Sequence, residues 1–182
     1  MSGTLTLRNR HRSRRVNLRL LRRIAQALLR ETQPDGSFDL GVYLVAAPEM
    51  TRLNENYLQH KGPTDVITFD YAEKVGQASR LSSSGAIAGH AKDRRDACPT
   101  LLHGEIFICL DEAVSQARRF HTTWQSELVR YVVHGVLHLL GYDDRNSPAR
   151  RRMKMAEGAL VRGLARQFVF RALSRPWTRS RT

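Results

Sequence analysis

The stretch His134–Asp144, HGVLHLLGYDD, sets two histidines four residues apart in a run that is otherwise almost wholly apolar. A glycine closes the run and two aspartates come directly after it. Residues four apart on a helix point the same way, so His134 and His138 present their rings to one spot. Tyr131, Val132, Val133, Val136, Leu137, Leu139 and Leu140 leave the segment no polar face, which predicts a buried helix. Burying two imidazoles without partners costs roughly a few kcal/mol. A divalent metal removes that cost by taking a lone pair from each ring.

Gly141 lets the chain turn back and brings Asp143 and Asp144 within reach of the same point. Two histidines and one carboxylate form a catalytic zinc set with a fourth position open to water. Zinc lowers the pKa of such a water to about 7. Two part-exposed histidines, each satisfied by a backbone carbonyl, would give the same H-x-x-x-H spacing. Residue 135 is glycine, so the H-E-x-x-H pattern of zinc peptidases is absent and its glutamate base is missing.

Outward from this helix, the chain reads as short strands alternating with helices. TLTL (Thr4–Leu7) is a strand, and Asn17 caps a helix to about Arg30. FDLGVYLVAA (Phe38–Ala47) is a second strand, and Pro48 opens a helix through about Leu58. TDVITF (Thr64–Phe69) and GEIFICL (Gly104–Leu110) are two more strands. Asp111 caps a helix to about Phe120, and Thr122 or Thr123 caps the histidine helix. A last helix runs from Ala149 to Phe168, with Met153, Ala156, Leu160 and Leu164 as its apolar stripe. Residues 72–102 have Ser and Gly clusters without a period and read as a flexible insertion loop; residues 170–182 read as a frayed basic tail. The expectation is one α+β domain over residues 1–182: a mixed sheet of about four strands packed with four to five helices, the metal site on the histidine-bearing helix.

Charge is polarised along the chain. The net charge is +13, with nine arginines and no acid in residues 1–30, and eleven Lys or Arg against Glu157 alone in residues 145–182. The middle is mildly acidic. Two basic ends attract polyanions, nucleic acid above all, by neutralising phosphates and releasing their counterions. No stretch approaches eighteen uncharged apolar residues, so no membrane span is expected. The segment SRRVNLR (Ser13–Arg19) is a poor twin-arginine signal, because Arg19, Arg22 and Arg23 interrupt the apolar segment that such a signal needs. Cys98 and Cys109 lack C-x-x-C spacing and suggest no disulfide, which fits a cytoplasmic protein.

HGVLHLLGYDD resembles the H-G-x-L-H-L-x-G-Y-D-H signature of the YbeY family of endoribonucleases. LNENYLQHKGPTDVITF (Leu53–Phe69) is similar to that family's L-N-x-x-Y block and the P-T-D-V-L-S-F beyond it; GEIFIC (Gly104–Cys109) is similar to its G-D-I-x-I-C strand. Order and spacing agree from about Asn17 to Phe168. The resemblance implies a metal-dependent hydrolase of single-stranded RNA, acting in 16S ribosomal RNA 3′-end maturation and ribosome quality control. Its partners would be ribosomal RNA and the small ribosomal subunit. It implies one Zn2+ per chain, with His134 and His138 as its first two ligands.

Two positions depart from the family pattern. Asp144 stands where the third histidine ligand is expected, and Asp143 matches the family's own aspartate, which would support the ligands from behind or cap the turn. Leu58 stands where an arginine usually follows the tyrosine, leaving Arg52, His60 or Lys61 to contact RNA. Thr64 and Asp65 fall on the strand leading to the site, either as supports of the ligands or as a strand-start pair. Trp124 and Tyr131 suit packing, and His103 and His121 suit the surface. A non-catalytic ribosome assembly or RNA-binding factor with a structural metal is the main alternative function. Another metal-dependent hydrolase, such as a peptidase, is the second.

Overall fold

A computed structural model of the protein describes residues 2–34, 36–72 and 101–174. Its elements, in chain order, are β1 (Ser2–Asn9), α1 (Leu18–Thr32), β2 (Ser37–Val45), α2 (Ala47–Leu53), β3 (Val66–Asp70), β4 (Leu102–Cys109), α3 (Leu110–Arg119), α4 (Trp124–Leu139) and α5 (Ser147–Gln167). The four strands form one mixed sheet in the order β1-β2-β4-β3. β1, β2 and β4 run parallel, and β3 pairs antiparallel with β4. Parallel neighbours need a crossover between them, which α1 supplies from β1 to β2. This is the α+β architecture expected from the alternation of strand and helix signals.

The alternation of side chains across the sheet divides the core. Phe38, Leu40, Val42 and Leu44 of β2, with Leu102, Ile106 and Ile108 of β4, face α1, α3, α4 and α5. The opposite face is smaller: Val45, Ile67, Phe107 and Cys109 close against Met50 of α2. Tyr43 stacks on Phe107 at 4.9 Å, and Phe69 meets Phe107 edge-on. Cys109 is fully buried, and Cys98 lies outside the described residues. Among the described residues, no helix is long and apolar enough to cross a membrane.

α4 lies directly on the sheet because two glycines let it. A Cβ on Gly135 would sit 2.6 Å from Ile106, and one on Gly104 would sit 2.8 Å from Leu139 and 2.5 Å from the Phe69 carbonyl. The helix starts at Thr123, whose side chain accepts from the Ser126 amide at 3.2 Å. It stops at Gly141, whose φ of 85° few L residues tolerate. The Gly141 amide donates to the His138 carbonyl and the Tyr142 amide to the Leu137 carbonyl, the double bond of a Schellman end.

Several boundaries differ from the sequence reading. β1 extends from Ser2 to Asn9 because it pairs along its whole length with β2. β2 stops at Val45, and α2 takes over at Ala47 with Pro48 in its first turn. The helix expected to run through Leu58 widens into a π turn over Asn54–Leu58, where the buried Asn54 side chain donates to the Gly62 carbonyl at 2.8 Å. Gln59, at φ 57°, then ends it. Thr64 and Asp65 precede β3 rather than lying within it. The expected insertion loop falls almost wholly outside the described residues, but Leu102 belongs to β4 and is buried. Part of the expected frayed tail is ordered, since Phe170–Ser174 forms a 3-10 turn with Phe170 and Leu173 buried; residues 175–182 lie outside the described residues. Packing against α4 and α1 orders the turn.

Asp111 does not cap α3; it sits inside the first turn and straps three elements together. Its carboxylate accepts from His11 Nε2 at 2.9 Å and from the Ala47 amide at 2.8 Å. His11 is buried and its Nδ1 accepts from the Arg14 amide at 3.0 Å, which leaves the proton on Nε2. Burial opposes the charge on Asp111, but the bonds from His11 and Ala47 outweigh it and lower its pKa. A lowered carboxylate pKa stabilises the fold above the ordinary aspartate value of about 3.9, and the benefit is lost as pH falls through the folded value. Asp111→Asn is therefore expected to lose about 1 kcal/mol in urea unfolding at pH 7. The deficit should shrink as pH falls below the ordinary aspartate value and through the lowered folded one, and equal stability of the two proteins at pH 7 would remove the strap.

Candidate metal centre

His134 and His138 lie one turn apart on α4, with ring centroids 4.6 Å apart and ring planes at 86°. Each ring is held by its Nδ1. The Nδ1 of His134 donates to Glu157 Oε2 at 3.0 Å, and that of His138 to the Tyr142 carbonyl at 3.1 Å. With both Nδ1 atoms committed as donors, both Nε2 atoms of the neutral rings are acceptors. They face each other at 3.1 Å. Two lone pairs so close repel unless a proton or a cation stands between them.

The Asp144 carboxylate completes a group whose ligating atoms all lie within 4.8 Å of one another. The Schellman end makes this possible: it reverses the chain within two residues, placing the Tyr142 carbonyl against His138 and carrying Asp144 back towards the rings. Two nitrogens bound to one tetrahedral zinc at about 2.05 Å stand roughly 3.4 Å apart, close to the spacing here. A donor set of two imidazoles and one carboxylate, with the imidazole protons turned away, fits a divalent cation of the zinc type.

Charges around the rings favour a cation. Burial opposes a proton on His134, but the hydrogen bond and charge of Glu157 outweigh it, helped by Asp65 and Asp144, and raise its pKa. Burial, and then the neighbouring His134, lower that of His138. Glu157 is itself buried, yet its bonds to His134 and Arg130 keep its pKa low. Arg130 reaches Glu157 at 2.9 Å and Glu127 at 3.3 Å. The sequence motifs did not point to Glu157 as a site residue. The signal was present: it is the one acid of the C-terminal basic segment, and it falls on the apolar stripe of α5 between Met153 and Leu160.

The remaining candidates separate. Asp143 accepts from the Arg145 amide and from Arg145 Nε, both at 3.1 Å, and so shapes the turn. Thr64 Oγ1 donates to Asp65 Oδ1, which also accepts from the Val66 amide, a strand-start arrangement whose charge still reaches His134. Arg52 is exposed on α2, across the sheet from α4, in a cleft with Arg10, Arg12 and Asp111. His60 and Lys61 are exposed between the π turn and β3; Leu58 is 46% exposed and offers no donor. Trp124 packs partly buried under the Arg14 guanidinium, and Tyr131 is buried. His103 meets Asp39 at 3.8 Å, and His121 lies in a turn at φ 54°.

A mixed sheet carrying a paired-histidine helix and a carboxylate just beyond it defines a small α+β protein of the metal-dependent hydrolase class. Residues 6–165 match the sequence profile of the family described as Endoribonuclease YbeY. The Endoribonuclease YbeY of Syntrophotalea carbinolica is 31% identical over 170 residues, covering 92% of this chain and 99% of that protein. That of Salinibacter ruber is 30% identical over 153 residues, covering 84% and 87%. In fold, the chain is similar to the solution structure of TM1509 from Thermotoga maritima, with a TM-score of 0.53, 24% identity and coverage of 90% and 91%. The chain belongs to the endoribonuclease YbeY family.

Two substitutions probe the centre. Gly135→Ala pushes a methyl into Ile106 and is expected to cost about 1–3 kcal/mol in denaturant unfolding, and less when introduced into the Ile106→Ala background, where both γ carbons are gone. Glu157→Gln keeps the shape but weakens the acceptor on His134. Zinc affinity by competition with a chromogenic chelator should fall about 10- to 100-fold; unchanged affinity would show that Glu157 does not support the ligand.

Proposed function

We propose that the protein is a zinc-dependent endoribonuclease that cuts single-stranded RNA, in the cytoplasm, during late 16S ribosomal RNA 3′-end maturation and ribosome quality control. The observation that carries this reading is the pair of Nε2 atoms turned towards each other beside Asp144, on a chain of the endoribonuclease YbeY family. His134, His138 and Asp144 would hold the ion. When bound, such an ion supplies a Lewis acid and makes water at its open position more acidic.

The protein's own groups then have distinct tasks. Glu157 and the Tyr142 carbonyl hold the imidazole protons on Nδ1, so that both Nε2 lone pairs stay available. Arg130 keeps Glu157 ionised in a buried setting. Asp144 brings a negative charge where the family pattern has a neutral ring, which lowers the net charge of the loaded site and strengthens its hold on a dication. Asp143, Thr64 and Asp65 shape the turn and the strand start around the ligands. The basic segment after Asp144, with Arg52, His60 and Lys61, supplies phosphate contacts.

Cleavage of an unstructured RNA should be lost in EDTA, restored by zinc, and reduced at least 100-fold in His134→Ala. Full activity in EDTA would sink the proposal. Purified protein should carry near-unit zinc, and Asp144→Ala should lose most of it. The exposed Leu58, which has no charge to place against RNA, favours one rival: a ribosome assembly factor whose metal is structural. That rival requires small-subunit binding that survives loss of both histidines, with no nuclease activity at any metal concentration.

A further inference from the structure

We propose that the outer face of α5, the helix whose inner face holds Glu157 against His134, is a docking surface for the RNA phosphate backbone. Pro148, Arg151, Arg152, Lys154, Met155 and Arg162 line a shallow depression of about 860 Å³ there. All six side chains are exposed. Arg162 reaches it by lying back along the helix, with Nη1 3.2 Å from where a Cβ on Gly158 would stand.

The placement of these charges is unfavourable for the isolated protein. Arg150, Arg151 and Arg152 fall in the first turns of α5, where the helix dipole opposes cations, and the first turn holds no acid. Among the described residues, no ion pair engages Arg151, Arg152, Lys154 or Arg162. Glu157, the acid of α5, is turned inward to His134 and Arg130. Of the elements packed nearby, α1 brings the Glu31 carboxylate to Gly163, beside Arg162, without forming an ion pair with it among the described residues. A polyanion would relieve the repulsion that no acid among the described residues pairs away.

RNA is the polyanion that geometry favours, its identity resting on the proposed endoribonuclease function. Arg151 to Arg162 spans about 16 Å of helix, enough for several consecutive phosphates. Arg150 ties the start of α5 to the metal centre, since its Nε donates to the Asp144 carbonyl at 3.0 Å. The start of this face thus lies within one side chain's reach of the backbone of Asp144. The exposed Tyr142 ring stands in the turn between α4 and α5.

The test uses the full chain in EDTA with a fluorescent 2′-O-methyl RNA 20-mer, so that binding is read without cleavage. Replacing Arg151, Arg152 and Arg162 together by Gln should weaken binding and reduce the slope of log K against log salt by about two. The same three changed to Lys should keep the slope, because lysine preserves the charge. Replacing Arg8, Arg118 and Arg119, exposed on β1 and α3, by Gln removes equal charge and should leave both quantities near wild type. An α5 variant with unchanged slope overturns the proposal and leaves this face to an acidic protein surface. Equal losses in the two Gln triples also overturn it, as they would report net charge alone. Failure of the EDTA cleavage test leaves this binding result standing, so the two readings fail separately.

Discussion

The centre depends on how two imidazole protons are placed. Glu157 and the Tyr142 carbonyl each accept from an Nδ1, and that pair of bonds turns both Nε2 lone pairs towards one point. Without those acceptors, each ring could flip or change tautomer, and the spacing of four residues alone would not make a binding site. The neutral rings therefore face each other in a repulsive arrangement that a proton or a cation between them relieves. The acids around it, Asp65, Asp144 and Glu157, act in the same direction.

That arrangement is positioned by close packing. Gly135 lets α4 settle onto Ile106, and Gly104 clears space for Leu139, so the helix approaches the sheet more closely than side chains at those positions would permit. Gly141 performs a different task through its backbone conformation, reversing the chain so that one turn supplies both an acceptor for His138 and the Asp144 carboxylate beside the rings. The same Gly135 explains why no glutamate base comes after His134: the position faces the sheet, where a glutamate side chain has no room. An H-E-x-x-H arrangement is closed to this helix by packing.

Charge is organised by the two faces of α5. Its inner side buries one carboxylate among Met153 and Leu164, paired with Arg130 and His134, which makes an otherwise costly buried charge tolerable. Its outer side is cationic and unpaired among the described residues. One helix thus couples the orientation of a ligand to a surface suited to a polyanion.

The histidine helix, its threonine cap, its Gly141 stop and the strand-helix alternation were legible in the sequence, because local periodicity and end chemistry encode them, although the choice between Thr122 and Thr123 was not. So was the convergence of His134, His138 and Asp144, which comes from a four-residue spacing and a turn. The role of Asp111 was not, because its partners His11 and Ala47 lie far away in the chain. Nor was the role of Glu157, which meets His134 only when α5 packs against α4. The π turn at Asn54 likewise needs the Gly62 carbonyl in place. Which residues form helices, and which side chains share a face, are matters of short-range geometry that the order of residues already contains. Strand order, the proton positions on the histidines and the facing of charges came only with folding, since each depends on groups that packing brings together from distant parts of the chain.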